Sequence, residues 1–141
     1  MSTYSQLELK NQLCFPLYAA ARKITSAYTP YLKPLGLTYT QYIVMLVLWE
    51  NDGISVGEIC EELRLDSGTI TPLLKKLETE GIVERRRCCD DERVVSVFLT
   101  EEGKALREKV KDVPFSVGSC VHLSEQEVGT LYTLLYKLLE E

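Results

Sequence analysis

The chain has 141 residues, of which 45% are hydrophobic, enough for one compact domain with a buried core and too many for a disordered chain. Its longest apolar stretch, residues 43–49, is too short to cross a bilayer, and residues 1–12 show no export pattern, so we expect a cytoplasmic protein. The net charge of −5 argues against nucleic-acid binding, but residues 64–93 carry seven basic and seven acidic groups and hold every basic cluster, and binding depends on the local field.

Five cysteines occur at irregular spacing. They are Cys14, Cys60, Cys88, Cys89 and Cys120. An odd number in a reducing compartment argues against a disulfide framework. Cys88 and Cys89 are adjacent rather than two residues apart, and His122 is remote from them, so we predict no metal site and no cofactor. We therefore expect some of the five cysteines to be reactive thiols and others, such as Cys60, to be buried and inert.

In chain order, apolar residues at three- and four-residue spacing first predict a helix over residues 5–29. We expect Pro16 to distort its early turns and Pro30 to end it. Residues 39–50 are apolar on nearly all sides, which predicts a central helix. Helix-start patterns in which a hydroxyl precedes an acid or amide predict starts near residues 38, 55, 100 and 124.

A second short helix, 55–63, is followed by a turn and by a helix that begins with a cap near Asp66 and runs to about Glu80. Its inward residues are Ile70, Leu73, Leu74 and Leu77. Pro72 lies beyond the preferred first position, so an irregular opening turn is expected. Gly81 is a suitable C-terminal stop.

From residue 82 the hydrophobic period changes from 3.6 to 2. Residues 82–87 and 93–99 therefore predict a two-stranded hairpin with a charged loop. A helix over 100–112, broken near Pro114 and Gly118, and a helix over 124–140 complete the chain. The predicted fold is mainly α with a small β-hairpin wing, a winged helix-turn-helix.

This arrangement predicts DNA binding. The helix after the turn fits a major groove, and arginines of the hairpin reach the backbone and minor groove. The candidate DNA-binding residues are Ser67, Thr69, Thr71, Pro72, Lys75, Lys76, Arg85, Arg86 and Arg93. The competing interpretations are a solvated helix face for the lysines and a hairpin edge guarded by charge for the arginines.

The stretch 65–78, with Asp90-Asp91-Glu92-Arg93 and residues 99–103, resembles the MarR family, and most closely its branch of organic hydroperoxide resistance regulators (OhrR) and SarZ. The resemblance covers nearly the whole chain. It implies a homodimer in which residues 1–37 and 100–141 supply dimerisation helices around a DNA-binding part at 38–99, within one domain of residues 1–141. It also implies that Asp91 steadies the wing and that Arg93 enters the minor groove.

Helix geometry predicts a second candidate site around Cys14. Tyr18 lies one turn later on the same face. Tyr28 is 14 residues after Cys14, within about 40° of the same stripe but about 21 Å along a straight helix. Tyr28 can therefore meet Cys14 across an antiparallel dimer rather than within one chain.

The resemblance implies that Cys14 is a peroxide sensor whose sulfur accepts hydrogen bonds from Tyr28 and Tyr39 of the partner subunit, with Tyr18 as a pocket residue. Phenol donors stabilise a thiolate, the form that oxidants attack. The predicted function is a transcription repressor, not an enzyme, that leaves operator double-stranded DNA when an organic hydroperoxide oxidises Cys14.

Three alternatives remain. Cys14 can be a small buried hydrophobe in a MarR-type repressor released by a small phenolic ligand. A thiol peroxidase is the second, but it needs a nucleophile at a helix start and a mixed α/β scaffold, and the sequence shows neither. The third is a protein-interaction module without DNA contact, which would make Arg93 dispensable.

Two fates of oxidised Cys14 are open. A low-molecular-weight thiol can cap it, or, as the resemblance implies for some members, Cys120 of the partner subunit can resolve it as a disulfide. The second route needs a mobile segment near Pro114 and Gly118; otherwise Cys120 packs between the last helices. Cys88 and Cys89 are the next sensor candidates.

Overall fold

The computed structural model describes residues 3–88, 90–91 and 93–140. Within these ranges the chain forms eight α-helices, one β-hairpin and short 3₁₀ turns. Their bounds are α1 Cys14–Ser26, α2 Thr29–Leu32, α3 Tyr39–Glu50, α4 Val56–Leu63, α5 Ser67–Thr79, β1 Val83–Arg87, β2 Val95–Leu99, α6 Glu101–Val110, α7 Val113–Gly118 and α8 Glu125–Leu139. The predicted fold class, mainly α with a small hairpin, is confirmed. Within these ranges, no helix is both long and apolar enough to cross a membrane.

The predicted helix starts are confirmed by their caps. Thr38, Ser55 and Ser124 each form a capping box with the third helical residue of α3, α4 and α8. Thr100 accepts from the Gly103 amide at the start of α6, and the Asp66 carboxylate accepts from the Thr69 amide at 2.8 Å. These bonds satisfy amides that have no partner inside their helices.

The N-terminal helix prediction over 5–29 is wrong in its bounds. Two 3₁₀ turns, Ser5–Leu7 and Leu9–Asn11, come first, and α1 begins only at Cys14. Pro16 lies in the first turn of α1, where its missing N–H costs nothing. Pro30 begins the short helix α2 rather than ending a helix, for the same reason.

The predicted break near Pro114 and Gly118 is found, but the segment between them is itself a short helix, α7, with Pro114 as its second residue. Helix α6 ends four residues earlier than Pro114, at Val110, and Val113 and Val117 of α7 are buried. The segment is thus an ordered helix anchored by two valines, and the connection to α8 begins only after it.

The buried core lies in the middle of the chain. It gathers side chains from α2 to α7 and both strands: Leu32, Leu37, Tyr42, Val44, Met45, Leu48, Ile59, Ile70, Leu74, Leu77, Val83, Val97, Leu106, Val110, Val113 and Val117. Helices α1 and α8 bury no side chain. The first and last helices therefore extend from a core that is complete without them.

Helices α4 and α5 form the helix-turn-helix. Arg64 ends α4 in the left-handed region, at φ 55°, and the Leu65 amide donates to the Cys60 carbonyl at 3.1 Å. The predicted irregular opening turn of α5 is not found, because the helix runs from Ser67 to Thr79 with Pro72 inside it. Gly81, at φ 78°, follows the helix as predicted.

The wing is an antiparallel pair in which Val83 faces Leu99 and Arg87 faces Val95. Its outer edge is covered by the residues before α4. The Val97 amide donates to the Ile54 carbonyl at 2.8 Å, and the Leu99 amide donates to the Asp52 carboxylate at 2.8 Å. The strand edge of β2 is thereby paired rather than exposed.

Gly103 provides a test of how the wing meets α6. A Cβ at this position would collide with the Ile82 carbonyl oxygen, and the Trp49 indole donates to the Gly103 carbonyl at 2.9 Å. We expect Gly103→Ala to lower the free energy of unfolding by about 1–3 kcal/mol through overpacking. Gly57→Ala in α4 is the matched control, because a Cβ at this position makes only ordinary contacts. This substitution should raise the free energy of unfolding by about 0.5–1 kcal/mol. Urea denaturation measures both, and equal effects would contradict the packing account.

Candidate functional site

The outer face of α5 presents the predicted groove-reading residues to solvent. Ser67, Thr69, Pro72, Lys75 and Lys76 are exposed, whereas Ile70, Leu74 and Leu77 are buried on the opposite side. The predicted division of this helix is therefore observed. Small hydroxyls near its start and two cations in its second half can reach base edges and phosphates.

Thr71 is half-buried because it turns towards the wing. It lines a cleft of about 410 Å³ with Ser55, Gly57, Arg85 and Arg93. The cleft opens where α4 begins, between α5 and the hairpin. Three of the predicted DNA-binding residues, on two separate elements, thus converge on one place.

Arg85 is bound to α5. Its backbone amide and guanidinium both donate to the Glu78 carboxylate, at 2.9 Å and at 3.1 and 3.3 Å. These bonds, that of the backbone amide first, hold the pKa of Glu78 below its usual value of 4.5. The Arg85 guanidinium, which was predicted to contact DNA, is therefore paired with Glu78. This pair joins strand β1 to helix α5.

Arg86 is held on the other face of β1. Its guanidinium donates to both Glu84 carboxylate oxygens at 3.0 and 3.2 Å, and it lies 4.4 Å from the centre of the Phe98 ring. The ion pair and the ring contact hold the side chain along the hairpin surface.

Arg93 projects from the wing. Asp91 accepts from its backbone amide at 3.0 Å and from its guanidinium at 3.1 and 3.2 Å. The arginine side chain nevertheless remains 91% exposed. Asp91 thus orients a protruding guanidinium, while the entry of Arg93 into a minor groove stays a prediction. Cys89 and Glu92, also in this loop, lie outside the described residues, and Cys88 is half-buried.

Cys14 is the first residue of α1 and is exposed. Tyr18, one turn later, is 62% exposed with the Arg22 guanidinium 5.5 Å from its ring centre. The thiol and the phenol thus open to solvent on a helix that buries nothing within its own chain. A second surface would be required to enclose them.

Tyr28 and Tyr39 lie together, with ring centres 5.0 Å apart. Tyr42 joins them, with its ring 5.4 Å from Tyr28 and 6.2 Å from Tyr39. Burial raises the pKa of all three phenols above 10.0, and their mutual proximity adds to the effect at Tyr39 and Tyr42. These phenols therefore stay protonated around neutral pH and can donate hydrogen bonds.

Cys120 follows α7 and is exposed. It lines an apolar cleft of about 320 Å³ with Ala20, Ile24 and Ala27 on one face of α1. Cys14 is rotated by about 120° from Ala20 around that helix. Its thiol therefore points away from the Cys120 segment of its own chain. His122 lines the same cleft and is exposed.

Sequence reasoning missed three contributors. Glu78 and Glu84 hold Arg85 and Arg86, and Tyr42 completes the aromatic cluster. The position of Tyr42, three residues after Tyr39 on α3, places both on one helix face and was the available signal. Glu78 gave no signal, because its partner lies on another element, whereas Glu84 and Arg86 are two residues apart in the predicted strand and therefore share a face.

These features define the class of protein: a winged helix-turn-helix with an exposed groove-reading helix and a projecting wing arginine. The family model of the transcriptional regulators SarA/Rot matches residues 26–110. The chain belongs to this SarA/Rot group of the MarR family of transcriptional regulators.

Individual relatives agree with the predicted branch. The organic hydroperoxide resistance transcriptional regulator of Bacillus subtilis is 43% identical over 137 residues, covering 97% of this chain and 93% of the relative. SarZ of Staphylococcus epidermidis is 41% identical over 123 residues, covering 87% and 83%. The resemblance to the OhrR and SarZ branch is confirmed.

AbfR of Staphylococcus epidermidis is similar in structure. Its reduced form bound to DNA has a TM-score of 0.79 and 36% identity, covering 95% of this chain and 93% of AbfR. Its disulfide-formed structure has a TM-score of 0.67 and 38% identity, covering 96% and 95%.

The Glu78–Arg85 pair predicts a pH-dependent difference. Because the folded-state pKa of Glu78 is depressed, the pair stabilises the fold well above pH 4.5, and this contribution is lost as the pH falls through the folded-state value. The Glu78 side chain is 37% exposed, so we expect Glu78→Gln to cost less than about 1 kcal/mol at pH 7. Glu80→Gln, at an exposed neighbour, is the control. Urea unfolding at several pH values measures the difference, and a loss that persists unchanged in acid would contradict the pairing.

Proposed function

We propose that this chain is a homodimeric repressor that binds operator DNA and is released when an organic hydroperoxide oxidises Cys14. The observation that carries the proposal is the separation of the sensor residues. Cys14 is exposed at the start of α1, and Tyr28 and Tyr39 cluster at the other end, about 21 Å away by helix length. A second copy is the partner that can bring them together.

The dimer is supported by apolar surface that one copy leaves uncovered. Exposed side chains include Leu13 and Phe15 at the start of α1 and Phe115 of α7. On α8 they form a row at helical spacing: Val128, Leu131, Leu135 and Leu138. Contiguous apolar patches of this kind mark interaction surfaces. We assign residues 1–37 and 100–141 to dimerisation and 38–99 to DNA binding.

DNA binding by this chain is supported by the convergence of α5 and the wing and by the DNA-bound structure of its relative AbfR. In the proposed complex α5 lies in the major groove. Arg93, oriented by Asp91, reaches the adjacent minor groove, where its exposed guanidinium meets a strongly negative potential. The role is regulatory, with no catalytic turnover.

The proposed oxidation is a balanced thiol reaction. The Cys14 thiolate attacks one peroxide oxygen, a sulfur–oxygen bond forms, the oxygen–oxygen bond breaks, and the alkoxide leaves as the alcohol after taking a proton. The resulting sulfenic acid condenses with a second thiol, releasing water and forming a disulfide. Protonated Tyr28 and Tyr39 of the partner subunit stabilise the thiolate by donating hydrogen bonds.

A second candidate has its own observation. The cleft beside α1 is lined mainly by apolar side chains, including Ile24, Val117 and Leu123, and its volume of about 320 Å³ suits a small ligand. A phenolic compound bound there could release DNA with Cys14 incidental. Adding a phenol to a Cys14→Ser protein on DNA separates the two functions, because only the ligand mechanism survives the substitution.

Arg93→Ala tests the wing. We expect operator binding to weaken by about 1–3 kcal/mol and the salt dependence to lose about one unit of slope, because one charge leaves the groove. Lys111→Ala, which removes an exposed cation beyond α6, is the matched control and should change neither. Fluorescence anisotropy over a salt series measures both. Wild-type binding by Arg93→Ala would refute the assignment.

Cys14→Ser tests the sensor. The variant should bind the operator as wild type does, and cumene hydroperoxide, which should weaken wild-type binding at least about tenfold, should leave it unchanged. Gel-shift titration before and after oxidation provides the comparison. A Cys14→Ser protein that still leaves DNA on oxidation would move the sensor elsewhere, and Cys88→Ser would then be the variant to combine with it.

Cys120→Ser tests the resolving step. Because Cys14 points away from the Cys120 segment of its own chain, we expect peroxide to join two subunits. A non-reducing gel should show a covalent dimer that is absent in both Cys14→Ser and Cys120→Ser. Cys120 lies after the last residue of α7, so we place the required movement in the connection between α7 and α8. A small-thiol adduct on Cys14, with Cys120 free by mass spectrometry, would rule out this route.

A further inference from the structure

Arg64 has an unusual backbone for its residue type. Among the residues that the structure describes, it is the one non-glycine with a positive φ, at φ 55° and ψ 40°. It ends α4 and starts the turn to α5. This left-handed region strains a residue that has a Cβ, and glycine or asparagine adopts it more readily. Local backbone geometry alone therefore gives no reason for an arginine here.

The Arg64 side chain supplies a reason. Its Nη1 donates to the carbonyl oxygen of Leu139 at 3.1 Å, across 75 residues of sequence. Leu139 is the last residue of α8. The final carbonyls of a helix have no partner inside it and carry a partial negative charge, so a guanidinium is favoured there.

Within the described residues, this contact is the one hydrogen bond that joins α8 to the helix-turn-helix. Helix α8 buries no side chain, and a groove of about 460 Å³, lined by Leu63, Tyr136 and other residues, separates it from α4. The other hydrogen bonds of α8 and its caps, within the described part of the chain, stay among residues 124–140. Arg64 thus spans a gap that packing leaves open.

We propose that Arg64 is a positioning residue that ties the C-terminal helix to the turn between α4 and α5, so that a displacement of α8 is transmitted to the DNA-reading helix. This inference rests on the proposed function for the origin of the displacement, since α8 carries the apolar row assigned to the dimer. The attachment joins the surface that holds two copies together to the element that reads DNA.

Amide hydrogen exchange of the free protein tests the attachment. Arg64→Gly removes the guanidinium and relieves the backbone, so stability in urea should stay equal or rise. Exchange of the amides at 136–139 should nevertheless accelerate by roughly three- to tenfold, because the end of α8 is released. Arg64→Lys, which keeps the charge, should lie between. Unchanged exchange in Arg64→Gly, or a loss of stability in urea, would overturn the proposal.

DNA binding over a salt series excludes the simplest competing role. If Arg64 positions α8, the salt slope of operator binding is the same in wild type and Arg64→Gly. A slope smaller by about one unit would show that Arg64 contacts a phosphate directly and would overturn the proposal.

Oxidation tests the transmission. Oxidation of Cys14 should reduce operator affinity by a factor that is at least about threefold smaller in Arg64→Gly than in wild type. The reason is that a displacement of α8 is no longer transmitted to the DNA-reading helix α5. An equal fold-loss in the two proteins would overturn the transmission. If wild type itself ignores peroxide, the proposed function fails, while amide exchange and the salt slope still decide the role of Arg64.

Discussion

The apolar faces of α1 and α8 have no place to be buried within one copy of the chain. The core is filled by α2 to α7 and the hairpin, and neither terminal helix contributes a buried side chain to it. Helices of this length are rarely stable without a packed apolar face. The proposed dimer would bury these faces, and the same association would bring an exposed thiol on one subunit to half-buried phenols on the other. In this account sensing and assembly share one interface.

The DNA-reading part is, in contrast, internally braced. Glu78 joins α5 to β1 through Arg85, Phe98 and Glu84 hold Arg86 along the hairpin, and Asp52 covers the strand edge. These contacts join the recognition helix α5 and the wing to each other without any contribution from DNA. In the proposed dimer, the DNA-reading parts of the two subunits must fit two half-sites of the operator at the same time. A change in dimer geometry is then sufficient to reduce affinity without any change in the reading surface.

Much of the fold follows from local rules. Capping residues such as Ser55 and Asp66 fixed the helix starts, the 3.6-residue spacing fixed the inward face of α5, and the change to period 2 located the hairpin, because each depends on neighbours in sequence. The family of the chain also followed from the recognition helix and the wing. Prolines were only partly understood: Pro30 and Pro114 were expected to end or break helices, and each also lies in the first turn of a new helix, where proline is favoured.

Contacts between distant elements were beyond sequence reasoning. Nothing in the pattern pairs Glu78 with Arg85 or sets Arg64 against the end of α8, because these contacts depend on how helices pack. For the sensor, helix geometry placed Cys14 and Tyr28 on one stripe but too far apart along the chain to contact each other within one subunit. The exposure of Cys14 and the clustering of Tyr28 with Tyr39 agree with that analysis. The structure added Tyr42, whose ring supports both phenols.

The central claim is that each sensor site is built from two subunits, and mixed dimers test it most directly. One subunit carries Cys14→Ser with its tyrosines intact; the other carries Tyr28→Phe and Tyr39→Phe with its cysteine intact. The single Cys14 of this dimer then faces intact tyrosines only if they come from the partner. The account predicts that this cysteine is oxidised by cumene hydroperoxide at the wild-type rate. Oxidation as slow as that of the Tyr28→Phe, Tyr39→Phe homodimer would show that the tyrosines act within their own chain and would contradict the account.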